Sequence, residues 1–109
     1  MKHFKYIDMI KGWFVGAFEP TAFKTDTCEV AIKHYEANDY DSSHYHKIAT
    51  EITMIVSGEV EMNGDKYYAG DVIVIEPNDR TDFKALTKAT TSVVKIPGQL
   101  NDKYEDIND

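Results

Sequence analysis

The stretch His44-Tyr45-His46-Lys47-Ile48-Ala49-Thr50-Glu51-Ile52-Thr53-Met54-Ile55-Val56-Ser57-Gly58 puts two imidazoles and a carboxylate ahead of an apolar run that ends on glycine. His44 and His46 are two residues apart, so on a β-strand their rings project from one face, and Glu51 returns to that face from the next strand across a short turn. Two neutral imidazoles and one carboxylate form a facial set that binds Fe(II), Mn(II) or Zn(II) and leaves positions open for water or substrate.

Working outward, turn signals recur at short intervals: Gly12, Glu19-Pro20, Asn38-Asp39, Asn63-Gly64, Gly70-Asp71, Pro77-Asn78-Asp79 and Pro97-Gly98. The segments between them are of strand length. Val30 to Tyr35, Ile52 to Val56, Val60 to Met62, Val72 to Ile75 and Ser92 to Ile96 are rich in β-branched residues, and none sustains the 3.6-residue period of a helix. Asn63-Gly64 predicts a two-residue hairpin between Glu59–Met62 and Asp65–Tyr68, because both residues tolerate positive φ. Short strands and tight turns give an all-β chain closed as a sandwich or barrel.

The chain has 109 residues, 42% of them hydrophobic, which suits one domain that buries roughly 60–70% of its unfolded surface. We expect a single domain over residues 1–100 with aromatic-rich N-terminal strands, and an acidic, solvated tail over 101–109. The net charge of −7 and the lack of a long Lys/Arg block argue against nucleic acid or an anionic membrane as partners. A small-molecule ligand and a second copy of the chain, in a homodimer, are the partners expected. Cys28 is the single cysteine, which excludes an intramolecular disulfide and a thiolate metal cluster. Its neighbour Glu29 would raise rather than lower the thiol pKa. Asp8 and Lys11 interrupt the N-terminal pattern, so neither a secretory signal nor a membrane span is expected, and the chain reads as cytoplasmic. Gly12-x-x-x-Gly16 lacks the Lys-Ser/Thr of a phosphate-binding loop.

His44-Tyr-His46, Glu51 and Gly58 resemble the first motif of the cupins, and Gly70-Asp71-Val72-Ile73-Val74-Ile75-Glu76-Pro77 followed by Phe83 resembles the second. The resemblance spans about half the chain, from Asp39 to Ile96. It implies a small single-domain cupin, a jelly-roll β-barrel of two antiparallel sheets, frequently dimeric, with its ligand in the barrel mouth. Carried over residue by residue, His44, His46 and Glu51 take ligand positions for a divalent metal (Mn, Fe, Ni or Zn). The histidine that the second motif usually supplies, two residues before the aromatic matched by Phe83, is Thr81 here.

Two readings of that departure stand side by side. A metal sits on His44, His46 and Glu51, with the Thr81 position filled by water or by Asp82 after a register shift. Alternatively the three residues are catalytic without metal, serving as proton-transfer and hydrogen-bonding groups around an organic substrate. His44-Tyr-His46-Lys47 with the upstream Lys11-Gly-Trp-Phe14 is similar to the cupin-type dTDP-sugar 3,4-ketoisomerases, which implies a sugar derivative and isomerase-like chemistry. A non-catalytic sensor or binding module would use the same pocket.

Tyr35, Met54, Thr81 and Phe83 are the expected pocket wall, with Tyr67 and Tyr68 beside them. Alternation along Val30, Ile32 and His34 places His34 on the apolar face, as a pocket or core histidine. Tyr6, Trp13, Phe14, Phe18 and Phe23 are expected to close a barrel end or form a subunit contact. Arg80 and Lys84 are candidates for an anionic substrate group, and Glu51 for neutralising Lys47.

Overall fold

The computed structural model describes residues 1–106 as two five-stranded sheets packed face to face. In chain order a 3-10 turn at Tyr6–Asp8 precedes β1 (Trp13–Val15), β2 (Glu29–Tyr35), β3 (Tyr40–Tyr45), β4 (Thr50–Ser57), β5 (Glu59–Met62), β6 (Asp65–Tyr68), β7 (Val72–Ile75), β8 (Thr81–Ala85), β9 (Ala89–Ile96) and β10 (Tyr104–Glu105). One sheet runs β1-β2-β9-β4-β7 and the other β10-β3-β8-β5-β6, all pairs antiparallel. This is the expected jelly-roll barrel of two antiparallel sheets. Consecutive strands such as β3 and β4 therefore lie in opposite sheets. No helix among the described residues is long and apolar enough to cross a membrane.

The β5–β6 hairpin forms as the Asn63-Gly64 pair predicts. Met62 faces Asp65 across the turn, and both turn residues have positive φ (50° and 85°). Three other connections share one device. At Glu36–Asp39, Tyr68–Asp71 and Glu76–Asp79 the third residue has positive φ, and the aspartate carboxylate accepts a hydrogen bond from the N–H of the first. The side chain thus closes the turn that the backbone opens.

The barrel interior is divided along its length. At one end Ile55, Val60, Met62, Ile75, Phe83, Ala85 and Ala89 form the apolar core, with Tyr35, Tyr67 and Ile73 packed on it. At the other end the inward faces carry polar and charged side chains.

The inward parity of β2 differs from the expectation. Ala31, Lys33 and Tyr35 point inward, whereas Val30, Ile32 and His34 lie on the outer face. His34 is exposed, with Nδ1 2.9 Å from Thr90 Oγ1 and its ring edge-on to Tyr6. Apolar residues mark the buried face of a strand only when the interior is apolar, and here the interior end of β2 faces a polar cavity.

The acidic C-terminal segment, expected to be solvated, is tied to the barrel as far as it is described. Asp102 is 4% exposed, β10 pairs with β3, and Asp106 makes an ion pair with Arg80 at 2.9 Å and accepts a hydrogen bond from Ser43. Residues 107–109 of that segment lie outside the described residues.

Candidate functional site

A β-bulge builds the site. Asp41 pairs with Phe83 and His44 with Thr81, and the register slips between them. Residues 41 and 44 would face opposite ways on a regular strand, so the extra residue turns both inward. The bulge also brings the Ser42 carbonyl to His44 Nδ1 at 2.9 Å. A carbonyl only accepts, so Nδ1 carries the proton and Nε2 of the neutral ring is left as an acceptor.

His46 follows the end of β3, in the loop leading to β4. Two clamps set its backbone. Its carbonyl accepts the Asn78 N–H at 2.7 Å, and the next three N–H groups, of Lys47, Ile48 and Ala49, donate to the Asp102 carboxylate at 3.1, 3.1 and 2.9 Å. The His46 side chain is 3% exposed, and its Nε2 is buried with no hydrogen-bond partner among the described residues. Leaving such a group unmatched costs about 1–3 kcal/mol. Burial, together with the nearby Lys95 ammonium, lowers the His46 pKa and keeps the ring neutral, against the opposing pull of Glu51.

Glu51 reaches the same space from β4, in the opposite sheet, and not from a hairpin partner of β3. Its Oε2 accepts the Thr53 hydroxyl at 3.2 Å, and Lys95 is its cross-strand neighbour. Lys47, the cation expected beside Glu51, lies instead over the Tyr104 ring at 4.2 Å.

His44, His46 and Glu51 therefore line one cavity of about 260 Å³, together with Tyr35, Thr81, Phe83 and Thr91. Thr91 Oγ1 is a second buried polar atom with no hydrogen-bond partner within the distance limit among the described residues. Tyr35 packs on Phe83 with centroids 4.5 Å apart. Burial and the Asp41 and Glu51 carboxylates push its phenol up to about 12, so it stays protonated. Thr81 occupies the second-motif position opposite His44. Asp82 does not replace it, because its carboxylate faces outward and accepts the Asn63 N–H at 2.7 Å.

Met54, expected on the wall, is 42% exposed on the outer face of β4, because the inward positions of that strand are 51, 53 and 55. Tyr68 is also exposed. Arg80 lies over Tyr45 and binds Asp106, so neither it nor Lys84 lines the cavity. Among the wall residues that sequence reasoning missed are Trp13, Lys33, Asp41 and Lys95, joined by Lys11 and Lys103 at the mouth. The period-two spacing of Lys33 with Tyr35, itself expected on the wall, was the available signal.

The imidazoles of His44 and His46 have centroids 5.6 Å apart with planes at 89°. Two rings on one ion, with metal–nitrogen bonds of about 2.1 Å and an angle of roughly 110–120°, would have centroids about 5.3–5.6 Å apart. That separation matches a tetrahedral angle, whereas the angle of about 90° in a facial octahedral set would bring the centroids to about 4.6 Å. Glu51 does not complete a centre with the pair, since among the described residues no three His, Cys, Asp or Glu side chains stand close enough together to hold an ion. The three-donor centre is not assembled with the side chains in these rotamers.

No protein-family model matches the chain, and no curated protein matches it in sequence. Solved structures do match in fold. A conserved protein with a double-stranded β-helix domain from Klebsiella pneumoniae superposes with a TM-score of 0.64 at 23% identity, over 69% of this chain and 67% of that one. KdgF from a Halomonas species gives 0.62 at 19% identity, over 69% and 74%. A sugar phosphate isomerase from a cupin superfamily, from Silicibacter pomeroyi, gives 0.64 at 22% identity, over 74% and 58%. At these identities the likeness speaks to architecture, and together with the strand order it shows that the chain has the fold of a small cupin-type, double-stranded β-helix domain.

Proposed function

We propose that the barrel mouth binds a small polar molecule of the sugar-derivative class, with His44 and His46 as its proton-accepting and hydrogen-bonding groups and Glu51 as the acidic partner. The observation that carries this reading is the His46 ring, buried and neutral with an unmatched Nε2, beside a second imidazole whose Nε2 is left as an acceptor. A ligand hydroxyl or acidic C–H presented there would relieve the unmatched nitrogen. The cavity volume suits one sugar ring, and the fold neighbour described as a sugar phosphate isomerase agrees with that class.

Acid/base work needs one group that accepts a proton and another that returns it, and two imidazoles in one cavity supply both without a metal. The test is thermal stabilisation of the protein by a panel of keto- and hydroxy-sugars, followed by recovery of the ligand from deuterated water. Wild type should be stabilised and His46→Ala should not. Deuterium in the recovered ligand identifies an isomerase-like enzyme, and unchanged ligand identifies a binding module. Equal stabilisation of both proteins would remove the imidazole from the site.

A divalent ion (Mn, Fe, Ni or Zn) on the two imidazoles is the second reading, favoured by their 5.6 Å separation, with Glu51 joining after a rotamer change. Metal analysis of protein purified without a histidine tag decides it. A stoichiometric metal that is lost in His46→Ala establishes the centre. The proposal also includes a cytoplasmic homodimer with no nucleic-acid or membrane partner, in keeping with the charge of −7 and the apolar outer face of the β2-β9-β4-β7 sheet.

A further inference from the structure

The chain as a whole is strongly acidic, yet the walls of this cavity carry Lys11, Lys33, Lys95 and Lys103 against Asp41 and Glu51. Lys103 is taken up by Asp41 at 3.4 Å. The ammonium groups of Lys33 and Lys95 have no carboxylate within ion-pair distance among the described residues. Both instead approach the Trp13 indole, at 5.2 and 5.0 Å from its centroid. That leaves two like charges within about 10 Å of each other, both against the Trp13 ring. Glu29, the register partner of Lys95 on β2, is buried, accepts the Gln99 N–H at 2.8 Å and is not part of the cavity wall.

Burial lowers the Lys33 pKa, and the neighbouring charges of Lys103 and Lys95 add to this while Asp41 and Glu51 oppose it. A half-buried cation with no carboxylate in ion-pair contact, near a second one and an indole, costs free energy that an anion bound at this wall would recover. Inward placement of both lysines follows from the strand parity that also brings in Tyr35 and Val93, so it is built into the sheet and is not a rotamer accident.

We propose that the ligand of this cavity is a small oxyanion, a carboxylate or a phosphate monoester, whose anionic group lies against Lys33, Lys95 and Trp13 while its polar body extends toward His44 and His46. The inference rests on the reading of the cavity as a small-molecule site and adds the charge of its ligand.

Calorimetric titration of the full chain at fixed ionic strength tests it, with D-galacturonate, D-glucose 6-phosphate, inorganic phosphate and neutral D-galactose as probes. At least one anionic probe should bind about tenfold more tightly than galactose, and Lys33→Gln and Lys95→Gln should each weaken it about tenfold. Lys33→Arg should retain it, and Lys24→Gln, at an exposed ion pair remote from the cavity, should bind as wild type. The relative strength of galacturonate and glucose 6-phosphate separates carboxylate from phosphate. Lysine-dependent binding of inorganic phosphate with no sugar bound would sustain the anion site and retire the sugar reading. Galactose bound through His46 with no lysine effect would do the reverse. Anions that bind no better than galactose, fail to bind up to about 10 mM, or are insensitive to both lysine variants overturn the proposal. Circular dichroism of each variant confirms that the barrel is intact, and rescue by Lys33→Arg excludes a folding defect at that position.

Discussion

At the scale of single residues, the part of the cavity that the sequence spells out is the part with a fixed spacing. His-x-His followed by Glu51 brings three groups to one space because a bulge and a loop place them there. Lys33 was hidden because Val30 and Ile32 read as the buried face of its strand, and the physical reason is that a wet interior inverts that rule. Asp102 was hidden for a related reason: an acidic segment reads as solvated until one carboxylate is seen to receive three N–H groups. Burial disfavours its charged form, but the N–H groups of Ala49, Lys47 and Ile48 outweigh that and hold its carboxyl below the ordinary value. A lowered folded-state pKa gives stability that is fully present above the unfolded value near 3.9 and is lost as pH falls through the folded value. Asp102→Asn should therefore cost about 2 kcal/mol at pH 7 in urea denaturation, and the gap from wild type should narrow at pH 3. A gap independent of pH would mean that the carboxylate charge is not what holds the 46–49 loop.

At the scale of elements, the hairpin at Asn63-Gly64 and the strands rich in valine and isoleucine were legible, since backbone preference and burial agree in them. β3 and β8 were harder to delimit. Tyr40–Tyr45 holds an aspartate, two serines and a histidine because its inner face meets the cavity and not the core, so no apolar alternation marks it. Gly58, between β4 and β5, shows how a motif glycine acts through an element. At its φ of +86° a Cβ would fall 2.2 Å from the Lys88 carbonyl oxygen and 2.7 Å from Ala89 Cα, whereas one on Gly64, at φ +85°, would meet nothing within 4 Å. Both substitutions carry the left-handed backbone penalty of about 1 kcal/mol, and only Gly58→Ala adds a backbone collision. Gly58→Ala should lose roughly 2–4 kcal/mol in chemical denaturation and Gly64→Ala about 1 kcal/mol. Equal losses would show that the strand junction yields to accommodate the methyl group.

At the scale of the whole molecule, polarity is distributed in an unusual way: charged groups line one end of the interior while apolar side chains stand on the outside of one sheet. Register places Val30, Val94, Ile52 and Val74 in one row across β2, β9, β4 and β7, and Ile32, Ser92, Met54 and Val72 in the next. Val72 and Val74 are 57% and 55% exposed. An apolar row continuous across four strands is more than scattered surface residues provide, and on a chain of net charge −7 the partner that matches it is another apolar sheet face, a surface on which two acidic copies meet without opposing carboxylates. The homodimer of the proposed function would use this face, which leaves the barrel mouth, built from the opposite side of the same strands, open to ligand. Met54→Glu and Val72→Glu lie side by side in the second row, so the doubly substituted chain would bury four like charges across a two-fold axis. Sedimentation equilibrium should then report a dimer for wild type and a monomer for the variant, with the thermal response to ligand retained. A variant that stays dimeric would move the subunit contact to the N-terminal aromatic segment. A monomeric wild type would leave the apolar rows without a partner copy.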